Sequence, residues 1–589
     1  MMKYKNVLLS AISLFVFTQI GMAADVLDVF KSPLSAGLDR PVVVYNNWSS
    51  YDELSDNVPL TEKLSMDMLN HVVRLKKQGV QIDYYLMDAF WFDVDGGYKT
   101  WNKKHWPDGP DCFLKKCRDN GIIPGLWFST NLIKSGGSPM LNPVSAWKNS
   151  VASDASEVSL FEGGYLNDLM NTLQMYADKG FGLFKFDFAY FDAATSSAKA
   201  LMLPNDIVES NKMAFINALK KFRRKNPHVI IVGYNGFGVD MENTFSAYRK
   251  TVDPRWMDVF ETLYSGDPRF SDVPMMNIWR SQDIYSDHQV REMACNGVPL
   301  ARIDNCSFMI GQTGTCYKRG IKAWKSCLIL NIARGGRLNV YHGNIDLLSD
   351  EDARWIAKVQ HVFLPFEQNN GVSIIGGIPG NAETYGYRAT SSDGEIYTVV
   401  NPSQSVREVM LPVNAGMKGG RILFTDKGFV PRIDKNILML GPEQMAVVGY
   451  GKYDSKAYDL GCEQDVIIPQ SEEELPFDRE LSGGNTIKLS IGGTSDVVRV
   501  ILQQRDNNGN PFRSWGGNRN MGQYFKISAR QSDKELPVKI NYDKVIWSGL
   551  SWAVGEILPI SSQSPIEIKC SSEEGDISKF AIHLYKIKY

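Results

Sequence analysis

Between Pro41 and about His342, short runs of β-branched and aromatic residues alternate with longer stretches that carry apolar residues at helical spacing. Alternation of this kind builds a parallel sheet covered by helices, because each parallel crossover needs an element long enough to return the chain. The short runs fall at 42–46, 84–88, 122–128, 182–187, 229–233, 276–280, 300–304 and 337–341. Eight of them predict a closed (β/α)₈ barrel. The intervals 61–78 and 211–225 place apolar residues on one helix face and charges on the other, as an outer ring of helices requires. A dinucleotide-binding sheet would need a Gly-rich turn after the first strand, and Asn46-Asn47-Trp48 stands there instead.

A chain of 589 residues exceeds what one hydrophobic core organises. Past about Phe363 the pattern changes to alternating runs separated by Gly, Pro, Asn and Asp turns, the mark of antiparallel sandwiches. The expected organisation is a signal segment at 1–24, a catalytic barrel at 25–362, a β-sandwich at 363–455 and a second β-rich unit at 456–589. Ser471-Glu472-Glu473-Glu474-Leu475-Pro476 reads as a loop or linker, and Trp515 and Trp552 as platforms if the last unit binds carbohydrate rather than packing on the barrel.

The N-terminus has Lys3 and Lys5, an apolar stretch from Val7 to Ile20 and Gly21-Met22-Ala23-Ala24, the three parts of an export signal. The stretch is shorter than the roughly 20 residues that span a bilayer, so no membrane insertion is expected after cleavage, and the destination is periplasmic or extracellular. A formal charge of -2 without a basic run argues against nucleic acid as a partner. Of the eight cysteines, Cys306 and Cys316 flank a Gly-containing loop and are the best-placed disulfide pair. No CxxC or HxxxH spacing accompanies them, so zinc is not expected.

Chemistry in such a barrel sits at the C-terminal ends of strands. In Leu183-Phe184-Lys185-Phe186-Asp187, Lys185 and Asp187 are two residues apart and share a strand face, so both point into the barrel mouth. A lysine neighbour keeps a carboxylate ionised, as a glycosidic nucleophile must be; the alternatives are a structural ion pair or a helix cap. A second carboxyl, kept protonated to release the leaving oxygen, is sought in Asn277-Ile278-Trp279-Arg280-Ser281-Gln282-Asp283, where Asp283 lies just beyond the expected sixth strand. Asp267 and Asp287 are its rivals, and a plain helix cap is the other reading of Asp283. Asp88 ends the second strand ahead of Trp91, and Trp48 and Trp127 lie at other strand ends, a mixture of acid and aromatic faces that suits a sugar.

These residues resemble those of the α-galactosidases (melibiases) of glycoside hydrolase families 27 and 36, over roughly residues 40–360. The resemblance implies a retaining hydrolase of terminal α-linked sugars, with Asp187 of Lys185-Phe186-Asp187 as nucleophile and Asp283 as acid/base, a reaction that needs no metal or organic cofactor. It also implies that Asp88, Trp91, Trp48 and Lys185 hold sugar hydroxyls or faces, that Arg280 contacts the C2 hydroxyl with Asp304 orienting it, and that Asn235 lies near the C2 substituent. The chain departs from the family in having Asp88-Ala89 where paired aspartates are common, and in an arginine-to-aspartate spacing one residue short. Other sugar specificities, a transglycosylase of the raffinose-synthase kind and a non-catalytic glycan-binding protein are the competing readings; the partner expected in each case is an oligosaccharide or polysaccharide.

Overall fold

The computed structural model describes residues 38–48, 50, 61–89, 91–135, 137–237, 252–312, 314–315, 317–510, 525–541, 551–573 and 576–589. The segment read as an export signal, together with Cys316 and Trp515, lies outside the described residues.

Eight parallel strands form one sheet in sequence order: β1 Val42–Asn46, β2 Tyr84–Met87, β3 Ile123–Ser129, β4 Leu183–Asp187, β5 Ile230–Gly233, β6 Thr262–Leu263, β7 Asn305–Ile310 and β8 Leu338–Gly343. β8 pairs back onto β1, with Val42 opposite Leu338 and Asn46 opposite His342. Between β6 and β7 a single parallel bridge, Leu263 to Ile303, completes the ring, and the Asp304 amide donates to the Leu263 carbonyl at 3.0 Å. The result is a (β/α)₈ barrel followed by antiparallel β-sheets.

Strand alternation sorts the core into two layers. Val42, Val44, Tyr84, Leu86, Leu183, Ile230, Val232, Tyr234, Tyr264, Cys306, Leu338 and Val340 fill the barrel interior. The intervening residues, among them Val43, Tyr45, Tyr85, Phe184, Phe186, Ile231 and Tyr341, pack outward against the helices. Those helices are α1 Glu62–Lys77, α2 Asp111–Asp119, α3 Tyr165–Asp178, α4 Pro204–Lys225, α5 Ile278–Cys295, α6 Trp324–Ala333 and α7 Asp350–Gln368. α1 begins where the Thr61 hydroxyl accepts from the Leu64 amide and buries Met68, Leu69, Val72 and Leu75 along one stripe. A reciprocal Ser349–Asp352 capping box opens α7. Between β5 and β6 the described residues offer only the short 3₁₀ turn Pro254–Asp258.

Two strands differ from the sequence reading. Residues 276–280, expected as the sixth strand, belong mostly to α5, and the sixth strand is the two-residue Thr262–Leu263. Residues 300–304, expected as the seventh, contain the 3₁₀ turn Leu300–Arg302, and the strand starts at Asn305. The cause of the first is burial on both sides. α5 is covered from Ile278 to Val290 apart from Trp279, and α6 is buried along nearly its whole length, because β-sheets pack over their outer faces. Such helices lose the 3.6-residue alternation that a one-sided helix shows.

Past α7 a six-stranded sheet runs in the spatial order Val372–Gly376, Tyr385–Thr390, Gly394–Val400, Met445–Gly451, Arg421–Gly428, Gly461–Ile468. Its last strand lies beyond the expected boundary at 455 and pairs in parallel with Arg421–Gly428. Two five-stranded sheets follow. Ser471–Glu474, read from sequence as a linker, is a strand paired antiparallel to Ala581–Lys588. Trp552 is fully buried and its indole N–H donates to the Ser271 carbonyl at 2.9 Å, so it fastens the last unit to the barrel and offers no open sugar platform. One apolar cluster runs from Phe270, Ile284, Ile329 and Val359 through Val447 to Ile487, Val500 and Trp552. Cys306 is a free thiol inside the barrel, where burial pushes its pKa upward.

Candidate active site at the C-terminal mouth of the barrel

The parity that fills the barrel with apolar side chains turns polar at its upper rim. Continuing the inward positions upward gives Asn46 on β1, Asp88 just past β2, Trp127 on β3, Lys185 and Asp187 on β4, Tyr234 after β5, Tyr264 after β6 and His342 on β8. All are buried. Gly343 then turns the chain sharply: it adopts φ +82°, and a Cβ there would sit 1.9 Å from the Ile310 carbonyl oxygen.

Asp187 is the best-supported of these groups. Trp127 Nε1 donates to its Oδ2 at 3.1 Å, while Oδ1 accepts from Asn235 Nδ2 at 2.9 Å, the Phe188 amide at 2.9 Å and the Asn235 amide at 3.2 Å. Burial raises its pKa above the ordinary carboxylate value, against the opposing pull of Lys185 and of the Trp127 and Asn235 donors. Oδ2 thus carries one donor where Oδ1 carries three.

Lys185 Nζ lies 2.8 Å from Asp88 Oδ2 and 4.2 Å from the centre of the Tyr234 ring. Burial alone would lower its pKa, but the carboxylates of Asp88, Asp187 and Asp267 outweigh that and raise it, so the ammonium stays charged. Asp88 is fixed from behind, its amide donating to Asn47 Oδ1 at 2.8 Å. The Tyr234 and Tyr264 rings stack at 4.2 Å across the β5 and β6 ends.

A third carboxyl at this rim is that of Asp267, in the loop that leaves β6. The Tyr264 hydroxyl hydrogen-bonds one of its oxygens, and Arg269 Nη2 lies 3.3 Å from the other. Arg269 also covers the Tyr317 ring at 4.3 Å, and Tyr317 meets the edge of Trp48 at 5.3 Å. Trp48, partly exposed after β1, touches His342 as well, at 6.1 Å between ring centres. A half-open aromatic wall with one arginine therefore faces the carboxylates.

Several residues singled out from the sequence lie elsewhere. Asp283 is on α5, 1% exposed, with Oδ2 3.1 Å from Arg280 Nη1 and Oδ1 2.5 Å from Arg319 Nη2. Arg280 is fully buried and reaches Asp426 of the first sandwich at 2.8 Å and the Glu443 carbonyl at 3.2 Å. Both belong to the contact between barrel and sandwich, because their segment is helix and not strand end. Asp287, the other rival, is buried against Arg334, Tyr385 and Tyr387. Asp304 precedes β7 instead of ending it; it sits inside the barrel beside Thr262 and Tyr234, and burial lifts its pKa to about 6. Trp91 is fully buried among Phe92, Tyr98, Trp101, Phe128 and Tyr176, and its N–H donates to the Trp127 carbonyl at 3.0 Å. It braces β3 and does not line the mouth.

The residues that sequence reasoning passed over are Tyr234, Tyr264, Arg269, Tyr317 and His342. A signal existed for Asp267 and Arg269: Ser265-Gly266-Asp267-Pro268 has the composition of a turn, and its carboxylate follows a short apolar run ending at Tyr264. Among the described residues no cluster of three or more His, Cys, Asp and Glu side chains is arranged to hold a metal ion.

No protein-family model matches this chain, and no curated protein matches it. Solved structures similar to it include a GH36 alpha-galactosidase, AgaA, from Geobacillus stearothermophilus in complex with raffinose, with 12% identity over 71% of this chain and 56% of that one and a TM-score of 0.49. A second is the GH36 alpha-galactosidase AgaB from the same organism, with 13% identity, 72% and 57% coverage and a TM-score of 0.48. A third is isomaltulose synthase from Erwinia rhapontici NX5, with 12% identity, 71% and 100% coverage and a TM-score of 0.44. The chain spans little more than half the length of the two alpha-galactosidases.

Proposed function

We propose that the protein is a retaining glycoside hydrolase that removes a terminal α-linked sugar, with an α-galactoside as its first substrate. The observation that carries this reading is the setting of Asp187: a strand-end carboxylate at a barrel mouth, held by Trp127 and Asn235 and set beside the Lys185–Asp88 pair. Donors from two directions fix the carboxylate, and Oδ2, with the single donor, is the oxygen free to attack the anomeric carbon. Asp267 takes the acid/base role expected of Asp283. It lies in the loop that leaves β6, within electrostatic reach of Lys185, whereas Asp283 has both oxygens committed to arginines.

On this reading Asp187 displaces the leaving oxygen as Asp267 protonates it, giving a glycosyl ester on Asp187. Asp267, now ionised, takes a proton from water, the water oxygen attacks the same carbon, and Asp187 departs, so configuration is retained. The Lys185 ammonium and the Asp88 carboxylate hold hydroxyls of the same sugar, and Trp48 and Tyr317 wall the acceptor side. No cofactor takes part in either displacement.

The test is turnover of 4-nitrophenyl α-galactoside against the α-glucoside, α-N-acetylgalactosaminide and β-L-arabinopyranoside, with Asp187→Asn in parallel. Cleavage by the wild type and loss of about a thousandfold or more in the variant are expected. Preference for another sugar overturns the specificity, transfer to a carbohydrate acceptor in place of water overturns hydrolysis, and an active Asp187→Asn overturns the nucleophile.

A further inference from the structure

Asn46 and His342 stand opposite each other on the paired strands β1 and β8, both on the inward parity. Asn46 is fully buried and His342 is 3% exposed, yet Asn46 Nδ2 and His342 Nδ1 have no hydrogen-bond partner among the described residues. Two unsatisfied polar atoms, on paired residues at the rim of a barrel mouth, are costly unless something else completes them. Asn46 Oδ1 is occupied, accepting the Trp48 amide at 2.9 Å, so the side chain is oriented and its NH₂ group is the part left over.

We infer that Asn46 and His342 form a corner that reads one hydroxyl of a neutral sugar ring; this deepens the glycosidase reading and rests on it. The chemistry of the pair selects the group. Burial, with Lys185 adding to it, lowers the His342 pKa to about 3, so the imidazole is neutral. The backbone of Phe308 hydrogen-bonds the ring, and donation from Nε2 leaves a lone pair on Nδ1. An amide donor beside an imidazole acceptor matches a hydroxyl, which accepts from the first and donates to the second. A carboxylate or phosphate only accepts and would meet the Nδ1 lone pair. The rim reinforces this choice, since Asp88, Asp187 and Asp267 outnumber Lys185 and Arg269. The corner therefore selects uncharged hexosides over uronides and sugar phosphates.

The experiment uses the full chain and three variants: His342→Phe, which keeps a ring against Trp48, His342→Gln, which restores a polar atom, and Asn46→Asp, which keeps the acceptor for the Trp48 amide and loses the donor. kcat/KM is measured on 4-nitrophenyl α-galactoside and its 2-, 3-, 4- and 6-deoxy forms. His342→Phe and Asn46→Asp are expected to lose about tenfold or more on the parent, and little on one deoxy sugar, the same one for both. Part of the loss returns in His342→Gln. Equal losses on every substrate, or none, overturn the inference while leaving the hydrolase standing. If wild type cleaves no glycoside, the hydrolase reading falls separately and titration calorimetry with free galactose and galacturonate decides. Galactose binding that weakens in His342→Phe, with galacturonate rejected, supports the corner; unchanged galactose affinity, galacturonate bound as tightly, or no binding of either overturns it.

Discussion

The indole N–H of Trp127 points at Oδ2 of Asp187 from 3.1 Å, the one donor to that oxygen among the described residues, and Trp127 also packs edge-on against Phe188. A buried carboxylate whose pKa already lies above the ordinary value depends on such donors to stay ionised. Trp127→Phe keeps the packing and removes the donor, so the Asp187 pKa rises further. In the proposed mechanism Asp187 attacks only when ionised, so activity is expected above that pKa and lost as pH falls through it. The acid limb of the kcat/KM profile is expected to move upward by about one unit. An unmoved limb would separate Trp127 from the nucleophile.

Asp267→Asn and Asp283→Asn separate chemistry from architecture. The first is expected to lower kcat/KM by about 10²–10⁴ on alkyl galactosides, and far less on dinitrophenyl galactoside, whose leaving group needs no proton. The second leaves Arg280 and Arg319 without their shared carboxylate at a fully buried contact, at a cost of about 3–5 kcal/mol, read as a lowered melting temperature. If Asp283→Asn shows the leaving-group dependence instead, the acid/base assignment returns to Asp283.

Asp304 predicts a pH dependence of stability. Its folded pKa is about 6 and the unfolded value is about 3.9, so the folded state holds the proton more tightly. Below the unfolded value this costs nothing; as pH rises from about 4 to 6 the wild type loses about 3 kcal/mol from this group, and the loss persists at pH 7. Asp304→Asn removes that slope. Denaturant melts of both proteins at pH 4.5 and pH 7 are expected to show the variant gaining stability relative to wild type at the higher pH, and a difference that does not change with pH counts against it.

The β-sheets cannot be removed without harm to the barrel. α5 and α6 are buried on both faces, and Arg280, Trp355 and Asn541 each bond across the contact, to Asp426, the Leu460 carbonyl and the Met275 carbonyl. A chain ending at residue 370 would expose Phe270, Ile284, Ile329, Val359 and Phe363 together. It is expected to be recovered as aggregate, and a soluble, cooperatively melting fragment would show that the contact is dispensable.

Six of the barrel strands were legible because each is a short apolar run with helices that show one polar face. β6 was not, since a strand of two residues, Thr262–Leu263, leaves no periodicity to read, and Ile278–Trp279 at the head of a helix buried on both sides looks like a strand. That one misplacement set Arg280 and Asp283 at a strand end, whereas both lie on α5, where Arg280 reaches Asp426 of the six-stranded sheet. Lys185 and Asp187 were legible because a spacing of two on a strand fixes a shared face whatever surrounds it. His342 was not, because its meaning lies in its neighbour across the sheet, Asn46, nearly three hundred positions away in the chain. Trp91 shows the opposite failure: an aromatic after an acid reads the same whether it faces a ligand or five other rings.

The single bridge from Leu263 to Ile303 divides the ring mechanically. Asp187 stands on a stave clamped by full ladders on either side, to β3 and β5. Asp267 hangs from the thinnest stave, beside the seam. In the proposed mechanism the two acids are asked for different things: one must hold a covalent bond in a fixed direction, while the other must let an alcohol leave and a water arrive through the same gap. On that mechanism the bond forms on the stave laddered on both sides, and the traffic passes beside the stave held to its neighbour by a lone bridge among the described residues.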